Sequence, residues 1–318
     1  MDNRCYLAFT LYLNLIMISI VIPCYNCAAY ISRAFNSVLK QTYTNWELIL
    51  VDNNSSDNTA DILLQLQSQH PEKVHVLFEE KPGAPCARNR GLAQARGSWV
   101  QFLDADDELA PDKLSRQYAL ALKQNPALVA ATYTRIGSHL GRRIRETRAV
   151  QPGSIWSALI QSNLGITSSN LWNRALLLKV NGWDESLSAS QEYDLMFRML
   201  QVRPMIAFDE RDRTTVHVVP GESISRGTGK LKRLKVLESK INLRQRIKVY
   251  LEKENLLTLD LERQLDLFLF EQMTKAYRYT RDYEQPMLEL QVRVGTKIKA
   301  LLFKNKMGLK RLLRLEEK

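Results

Sequence analysis

The amino-acid sequence predicts an α/β fold in which an open, mostly parallel sheet is flanked by helices and followed by a helical C-terminal extension. Between residues 18 and 133, short runs of β-branched residues alternate with helical segments, which is the pattern of a parallel sheet covered by helices. After residue 229 the pattern is helical to the end of the chain. The 318 residues, 45% of them hydrophobic, suffice for one substantial core and an appendage.

Five strands and four helices are predicted in order along the first part of the chain. The strands are expected at residues 18–22, 47–51, 74–78, 99–103 and 128–132. The helices are expected between them, at residues 29–41, 59–69, 87–95 and 111–124. Pro111 stands near the start of the last helix, where its missing N–H has no cost.

Residues 134–220 are less regular and are predicted to complete the same domain. Strands are expected at residues 169–172, 205–208 and 215–219, with a helix at residues 192–201. The sequence therefore predicts a main domain over residues 17–227 and a basic helical region over residues 228–318. The glycine-rich segment 227–229 is the expected boundary.

The N-terminal segment has two interpretations. Residues 5–22 are apolar enough to resemble a signal anchor, since about 18 such residues can cross a bilayer. Residues 18–22 are needed as the first strand, however, which leaves a segment that is short for a span. Because Met17 directly precedes this strand, residues 1–16 are either an upstream extension from a misplaced start codon or a hydrophobic arm.

Most of the positive charge lies in the C-terminal region. The formal net charge is +11, and residues 230–318 hold 22 Lys and Arg against 12 Asp and Glu, a net of +10. Within residues 293–314, basic residues alternate with apolar ones and no acid occurs. This pattern indicates a surface for anionic lipids, although a solvated helical face and a dimer contact remain alternatives.

The four cysteines predict the compartment. They are too few, and too clustered in the first third of the chain, to cross-link a fold of this size. This indicates a reducing environment. We therefore expect a cytoplasmic protein, peripheral on the cytoplasmic face of a membrane if the basic region binds lipid.

An acidic cluster follows the fourth predicted strand. Asp104, Asp106 and Asp107 come directly after an apolar run, at the sheet edge where ligands bind in folds of this kind. Crowded carboxylates repel one another unless a cation or an unusual protonation state compensates. Hard oxygen ligands suit Mg²⁺ or Mn²⁺. The alternative is a capped surface loop before Pro111.

Two further residues are candidates for binding a nucleotide. Asp52 ends an apolar strand too early to cap the next helix, so its carboxylate is placed to accept a hydrogen bond from a base N–H. Residues 81–91 combine a loop with a basic helix start, which suits phosphate oxygens. Arg88 and Arg90 are two apart on this helix, so at most one of them faces a site, and surface solubility explains the other.

Two candidates lie in the second half of the main domain. Glu192 flanks the apolar stripe of its helix, where partial burial suits a carboxylate to act as a general base. Asp194 and Arg198, four apart, are predicted to pair on the outer face of that helix. His217 is either a packed strand histidine or a residue that acts at a diphosphate or a metal.

Taken together, these segments resemble the family 2 glycosyltransferases, which have the GT-A fold. The resemblance runs in the same order over about residues 17–225. The matching segments are residues 18–26, 47–59, 83–91, 97–107, 182–185 and 191–198.

The resemblance implies a donor site for a nucleotide-diphosphate sugar. Asp52 would contact the base, and Arg88 would lie near the nucleotide. Asp104 and Asp106 match the D-x-D of the family, in which the first carboxylate lies near the ribose and the second reaches the metal. The residues implied to line the nucleotide pocket are Pro23, Tyr25 and Asn26.

The resemblance also implies a base and a diphosphate-binding segment. Glu192 matches the acidic base of the family, which is often Asp. His217, with Ser223 and Ser225, resembles a segment close to the donor diphosphate, although Thr215 replaces the Arg often found there. The implied reaction is an inverting transfer, assisted by Mn²⁺ or Mg²⁺ and with UDP as the default nucleotide.

The sequence also favours some substrates and excludes other functions. The processive members of the resembled family carry a Q-x-x-R-W motif, which does not occur in this sequence. The resemblance therefore implies a non-processive enzyme that extends a surface polysaccharide or a lipid-linked glycan. A nucleic-acid binder does not explain the acidic edge, and a nicotinamide-dependent oxidoreductase lacks G-x-G-x-x-G after the first strand. A catalytically silent nucleotide-sugar-binding protein remains the alternative.

Overall fold

A computed structural model describes residues 16–139, 142–218, 229–280, 282–290 and 292. Residues 1–15 of the N-terminal segment, the predicted boundary at residues 227–228, Ser223, Ser225 and the basic segment 293–314 lie outside the described residues. The chain forms two compact units, residues 1–187 with 191–221, and residues 188–190 with 222–318.

The first unit is built on a seven-stranded, mostly parallel sheet. Its strands are β1 (Ile18–Cys24), β2 (Trp46–Asp52), β3 (Val74–Phe78), β4 (Trp99–Phe102), β6 (Leu128–Ala131), β9 (Leu171–Asn173) and β10 (Ile206–Asp209). Their order is β10-β6-β9-β4-β1-β2-β3. Only β9 runs antiparallel to its neighbours β4 and β6.

A smaller four-stranded sheet has the order β5-β11-β7-β8. Its strands are β5 (Glu108–Leu109), β7 (Tyr133–His139), β8 (Arg142–Arg148) and β11 (Thr214–Val218). Strands β7 and β8 form an antiparallel hairpin, while β11 pairs with β7 in parallel.

The helices of this unit connect and cover the strands. They are α1 (Ile31–Leu39), α2 (Thr59–Gln69), α3 (Ala84–Gln94), α4 (Lys113–Gln124), α5 (Ile155–Gln161), α6 (Arg174–Lys179) and α7 (Gln191–Val202). The predicted α/β class with a mostly parallel sheet is confirmed.

Several boundaries differ from the prediction for identifiable reasons. Strand β1 continues to Cys24 because Pro23 and Cys24 still pair with β2. Helix α4 begins at Lys113, with Asp112 as its N-cap residue, so the prediction that Pro111 lies inside the helix is wrong. The hairpin β7–β8 was not predicted, because its polar and arginine-rich strands lack a clear apolar alternation.

The core lies between the large sheet and its helices. All seven residues of β2 are buried, as expected for a strand covered on both faces. Phe102 and Trp183 meet edge to face with ring centroids 5.2 Å apart, and Trp172 lies 5.9 Å from Trp183. This aromatic cluster lies behind the end of β4 and anchors the segment that leads to α7.

The second unit is helical, as predicted. Its described helices are α8 (Lys230–Lys253), α9 (Leu259–Ala276) and α10 (Glu284–Glu289). Ile241 of α8 packs with Leu269, Phe270 and Met273 of α9 in a small core. Among the described residues, no helix combines the length and apolarity needed to span a bilayer.

Candidate functional site

The carboxyl ends of the adjacent strands β4, β1 and β2 bring the predicted polar residues to one edge of the large sheet. Cys24 at the end of β1 lies opposite Asp52 at the end of β2. Strand β4 pairs with the other side of β1, and Asp104 follows two residues after β4 ends. The three chain segments predicted to share an edge therefore do so.

Asp52 is a buried carboxylate with one unused oxygen. Its side chain is almost wholly buried, and Oδ2 accepts a hydrogen bond of 3.4 Å from the backbone N–H of Ser55. Oδ1 has no hydrogen-bond partner among the described residues. Because buried polar atoms are almost always paired, this oxygen is suited to accept a ligand N–H.

The loop after β1 is tied to the loop after β2. The backbone N–H of Asn26 donates to Ser55 Oγ at 3.0 Å, and Asn26 Oδ1 accepts from the backbone N–H of Ser56 at 2.8 Å. Asn26 adopts a left-handed backbone with φ of 46°, a conformation that Asn tolerates well. Its amide thus shapes the loop, while Tyr25 is 64% exposed and Pro23 is half-buried.

Asn53 organises this edge and was not singled out from the sequence. Its Nδ2 donates to the carbonyls of Glu79 and Lys81 at 2.7 and 2.8 Å, and its Oδ1 accepts from the N–H of Gly83 at 2.7 Å. A single buried amide therefore holds the loop that leads into α3. The run of polar residues after Asp52 was the available signal, but it did not distinguish Asn53 from its neighbours.

Arg88 is buried and joins three parts of the site. Its Nη2 donates to Asp104 Oδ1 at 2.7 Å, and its Nη1 lies 3.5 Å from Gln191 Oε1 at the start of α7. The guanidinium stacks on Trp183, 4.6 Å from the ring centroid. Arg90 is exposed, so only one of the two arginines points inward, as expected. Arg88 orders Asp104 rather than projecting freely towards a nucleotide.

The acidic segment 104–107 carries negative charge that its surroundings only partly balance. Burial raises the pKa of Asp106, and the carboxylate of Asp104 raises it further. Burial also raises the pKa of Asp107, which is affected by both Asp104 and Asp106. Ser168 supports the segment because its Oγ accepts from the backbone N–H of Asp104 at 3.1 Å. The predicted crowding of like charges is therefore present.

The donor set at this edge fits a hard divalent cation that substrate oxygens also coordinate. No group of three or more His, Cys, Asp or Glu residues able to hold a metal occurs within the described ranges. Mg²⁺ usually binds to one or two carboxylates plus substrate phosphates rather than to an all-protein cage. Asp106 and Asp104 provide such oxygens, and the carboxylate of Asp104 adds to the effect of burial in raising the pKa of Asp106.

His217 contacts the acidic segment but not as an isolated ligand. Its Nε2 lies 3.2 Å from Glu108 Oε2, and its backbone N–H donates to Asp107 Oδ1 at 3.3 Å. The contact with Glu108 occupies Nε2 of the imidazole, and the predicted metal role of His217 stays a prediction.

Glu192 lies in the first turn of α7 and is half-buried. Burial raises the pKa of Tyr133 in the small sheet, and the negative charge of Glu192 adds to this rise. The prediction that Asp194 and Arg198 pair on an outer face is wrong. They do pair, at 2.8 Å, but Asp194 is buried. The reason is that Arg198 also donates to the carbonyls of Val180 and Gly182 and so ties α7 to the segment that follows α6.

Comparison with protein families identifies the chain. The model described as Glycosyl transferase family 2 matches residues 19–180, about half of the chain, including the ends of β1, β2 and β4. The chain belongs to glycosyltransferase family 2. The resemblance inferred from the motifs is thereby confirmed.

Family members with sequence similarity match over part of their length. The putative teichuronic acid biosynthesis glycosyltransferase TuaG of Bacillus subtilis is 40% identical over 119 residues, 37% of this chain and 47% of TuaG. The Escherichia coli enzyme described as UDP-Glc:alpha-D-GlcNAc-diphosphoundecaprenol beta-1,3-glucosyltransferase WfgD is 39% identical over 124 residues, 39% of this chain and 48% of WfgD. The chain spans about half the length of these relatives.

Solved structures of other glycosyltransferases share the fold. Staphylococcus aureus TarS 1–349, in complex with UDP-GlcNAc, aligns with a TM-score of 0.60 at 19% identity, over 90% of this chain and 79% of that one. The mannosyltransferase PcManGT of Pyrobaculum calidifontis, in complex with GDP-Man and Mn²⁺, aligns with a TM-score of 0.55 at 16% identity, over 83% and 75% of the two chains. The predicted GT-A fold is confirmed.

Proposed function

We propose that this protein is an inverting glycosyltransferase that moves a sugar from a nucleotide-diphosphate sugar to an acceptor hydroxyl. One observation carries the proposal. Arg88 pairs with Asp104 at the sheet edge and also lies against Gln191, the residue before Glu192. A single buried side chain thus links the acidic segment to the helix that carries the candidate base, as a site that holds donor and acceptor together requires.

The donor we propose is a UDP-sugar. The unpaired Oδ1 of Asp52 is suited to accept the imide N–H of a uracil. Pro23 lies near the end of β1, Tyr25 and Asn26 belong to the loop after it, and we assign Arg88 and Asp104 to the ribose side of the nucleotide. The names of a sequence relative and of a structural neighbour both mention a UDP-sugar, which supports this choice of base.

The cofactor we propose is Mn²⁺ or Mg²⁺, held by Asp106 and Asp104 with His217 as a further candidate. When bound, such a cation stabilises the negative charge that develops on the leaving diphosphate. The contribution of the chain is to keep Asp106 partly buried next to a second carboxylate, where positive charge is favoured. Ser168 accepts from the backbone N–H of Asp104 and Arg88 donates to its carboxylate, so both hold Asp104 in position.

The catalytic base we propose is Glu192. Its carboxylate accepts the proton of the acceptor hydroxyl as the oxygen attacks the sugar C1 from the face opposite the diphosphate, which inverts the anomeric centre. The acceptor we propose is a glycan or a lipid-linked glycan of surface polysaccharide synthesis, extended by single additions. A cytoplasmic location, peripheral on the membrane through the basic C-terminal region, would suit such an acceptor.

The first test is the substitution Glu192→Gln. Since general-base catalysis contributes about 10²- to 10⁴-fold to rate, we expect sugar transfer to fall by that factor, while UDP binding stays close to wild type. Donors are screened as a panel of nucleotide sugars with and without Mn²⁺.

Glu210→Gln, which changes an exposed glutamate, is the control. Transfer at the wild-type rate by E192Q would exclude this base, and a wild type that binds UDP but neither hydrolyses nor transfers any donor would identify a silent binding protein.

A further inference from the structure

The arginine-rich hairpin β7–β8 has two unlike faces. In its register, Tyr133 lies opposite Arg148 and Arg135 lies opposite Glu146. Because side chains alternate along a strand, these four residues share one face. Arg143 and Arg145, at the intervening positions of β8, lie on the other face. The acidic segment and Glu192 are not part of this hairpin, and the proposed transfer reaction does not account for its charge.

The charge of Glu192 acts on Tyr133. The charges that affect the pKa of Tyr133, after the dominant effect of burial, belong to Arg135, Arg148, Glu192 and Glu146. The candidate base and the two arginines therefore all influence the same phenol. An acceptor whose hydroxyl contacts Glu192 would extend over the face with Tyr133.

Arg135 is a half-buried cation that has no ion pair among the described residues. Its cross-strand neighbour Glu146 instead binds Arg148, with 2.8 Å between Arg148 Nη2 and Glu146 Oε1. No carboxylate of the described residues forms an ion pair with Arg135, although its side chain is half-buried. A partly buried charge is costly unless it is paired. Arg143 and Arg145 are exposed, so water solvates their charges. The charge of half-buried Arg135 is only partly solvated.

We propose that Arg135 and Arg148, beside Tyr133, form a subsite for a phosphate group carried by the acceptor. A guanidinium binds phosphate oxygens through two parallel hydrogen bonds, and two guanidinium groups on one face exceed the single carboxylate of Glu146. Tyr133 lies opposite Arg148 and two residues from Arg135 on the same strand, so the three side chains occupy neighbouring positions on this face. The acceptor is thus a sugar that carries a phosphate group. This inference rests on the proposed function, because it takes Glu192 as the base.

The test uses the full-length protein saturated with UDP and Mg²⁺, which is diamagnetic and leaves the NMR signals of the ligand sharp, so that a donor diphosphate site is filled. α-D-Glucose 1-phosphate is titrated by ligand-detected NMR, with methyl α-D-glucoside as the uncharged match. We expect only the phosphate to bind, and R135Q to weaken it about tenfold, as loss of about 1.4 kcal/mol does. R148Q should weaken it severalfold, and R145Q, on the opposite face, should leave it unchanged. R135K should weaken it less than R135Q does, because lysine keeps the positive charge but not the two parallel hydrogen bonds.

The proposal fails if R135Q and R148Q bind the sugar phosphate as wild type does, if R145Q weakens binding equally, or if the glucoside binds as well as the phosphate. It also fails if UDP displaces the sugar phosphate, because the phosphate would then occupy the donor site.

If R135Q does not fold, the variant R148Q, which changes an exposed residue, decides. A wild type that does not bind UDP refutes the proposed function instead, and the titration without UDP then still tests the arginines. Tighter binding of an octyl glucosyl diphosphate would identify a lipid diphosphate as the source of the phosphate.

Discussion

Lys113 is a wholly buried lysine that supports the acidic segment from inside the fold. Its Nζ donates to Gln101 of β4 and to Gln117 one turn along α4, the latter at 2.8 Å. Gln101 in turn donates to the carbonyl of Ser168 at 2.8 Å, and the hydroxyl of Ser168 receives the N–H of Asp104. Burial lowers the pKa of Lys113 to about 7, against a smaller opposing effect of Asp209.

This depressed pKa predicts a specific dependence of stability on pH. Above pH 7 the folded protein releases the proton of Lys113, whereas the unfolded chain keeps it up to about pH 10.5. The unfolded state binds more protons in this window, so the free energy of unfolding should rise with pH by about 1.4 kcal/mol per unit. Lys113→Met should lack this rise.

Urea denaturation between pH 7 and 9.5 measures the effect as the difference in slope between wild type and K113M. Lys123→Met, which removes an exposed lysine near the end of the same helix, is the matched control and should keep the wild-type slope. Parallel curves for wild type and K113M would show that Lys113 stays charged or becomes solvated in the folded protein.

At the scale of the element, the packing of α3 on the sheet positions Arg88. A Cβ atom at Gly91 would lie 2.4 Å from Val21 Cγ1 and 3.3 Å from Val51 Cγ2. The absence of a side chain at Gly91 therefore lets the helix approach β1 and β2 more closely than it could with any other residue at this position. Arg88 lies one turn earlier on the same helix, so the distance between helix and sheet also determines where its guanidinium meets Asp104.

We expect Gly91→Ala to lower the free energy of unfolding by about 1–3 kcal/mol, the usual cost of overpacking, although alanine favours a helix by about 1 kcal/mol. Equilibrium denaturation measures the change. The double variant Val21→Ala with Gly91→Ala removes the nearest methyl groups, so its cost should be smaller than the sum of the two single costs. Strict additivity would mean that the helix shifts without meeting Val21.

At the scale of the whole molecule, charge and chemistry lie in different parts of the chain. The residues assigned to the reaction are in the first unit, whereas 22 of the 45 Lys and Arg lie in residues 230–318. In the described part of this region, α8 carries nine basic residues and two acidic ones. Such an excess of positive charge favours association with an anionic surface. The membrane that carries the proposed lipid-linked acceptor would provide such a surface.

The membrane proposal is tested on the full-length chain by changing the eight Lys and Arg of residues 293–314 to Gln. Each basic residue near an anionic surface contributes about 1 kcal/mol, so flotation with phosphatidylglycerol vesicles should be lost. Phosphatidylcholine vesicles are the control, and wild type should dissociate from anionic vesicles as salt shortens the screening length. Unchanged flotation of the variant would exclude this segment as the membrane contact and leave the solvated face or the dimer contact.

Much of the sheet edge that forms the proposed donor site was predictable, because its position in the chain depends on the order of short apolar and polar runs. The ends of β1, β2 and β4 were located within one or two residues, and Asp52, Asp104 and Asp106 follow directly from them. The roles of Asn26, Asn53 and Arg88 were not predictable in the same way. Each acts through partners at least 16 positions away in the chain, and no local pattern specifies such partners.

The sequence by itself determined the α/β class, the family and the set of carboxylates at the sheet edge, because these follow from periodicity and from motifs that are local in the chain. Only the tertiary structure decided that Arg88 binds Asp104, that Arg198 is turned inward to the carbonyls of residues 180 and 182, and that Arg135 shares a face with Tyr133, on which the charge of Glu192 acts. The physical reason is that burial and charge pairing depend on which residues meet across the fold.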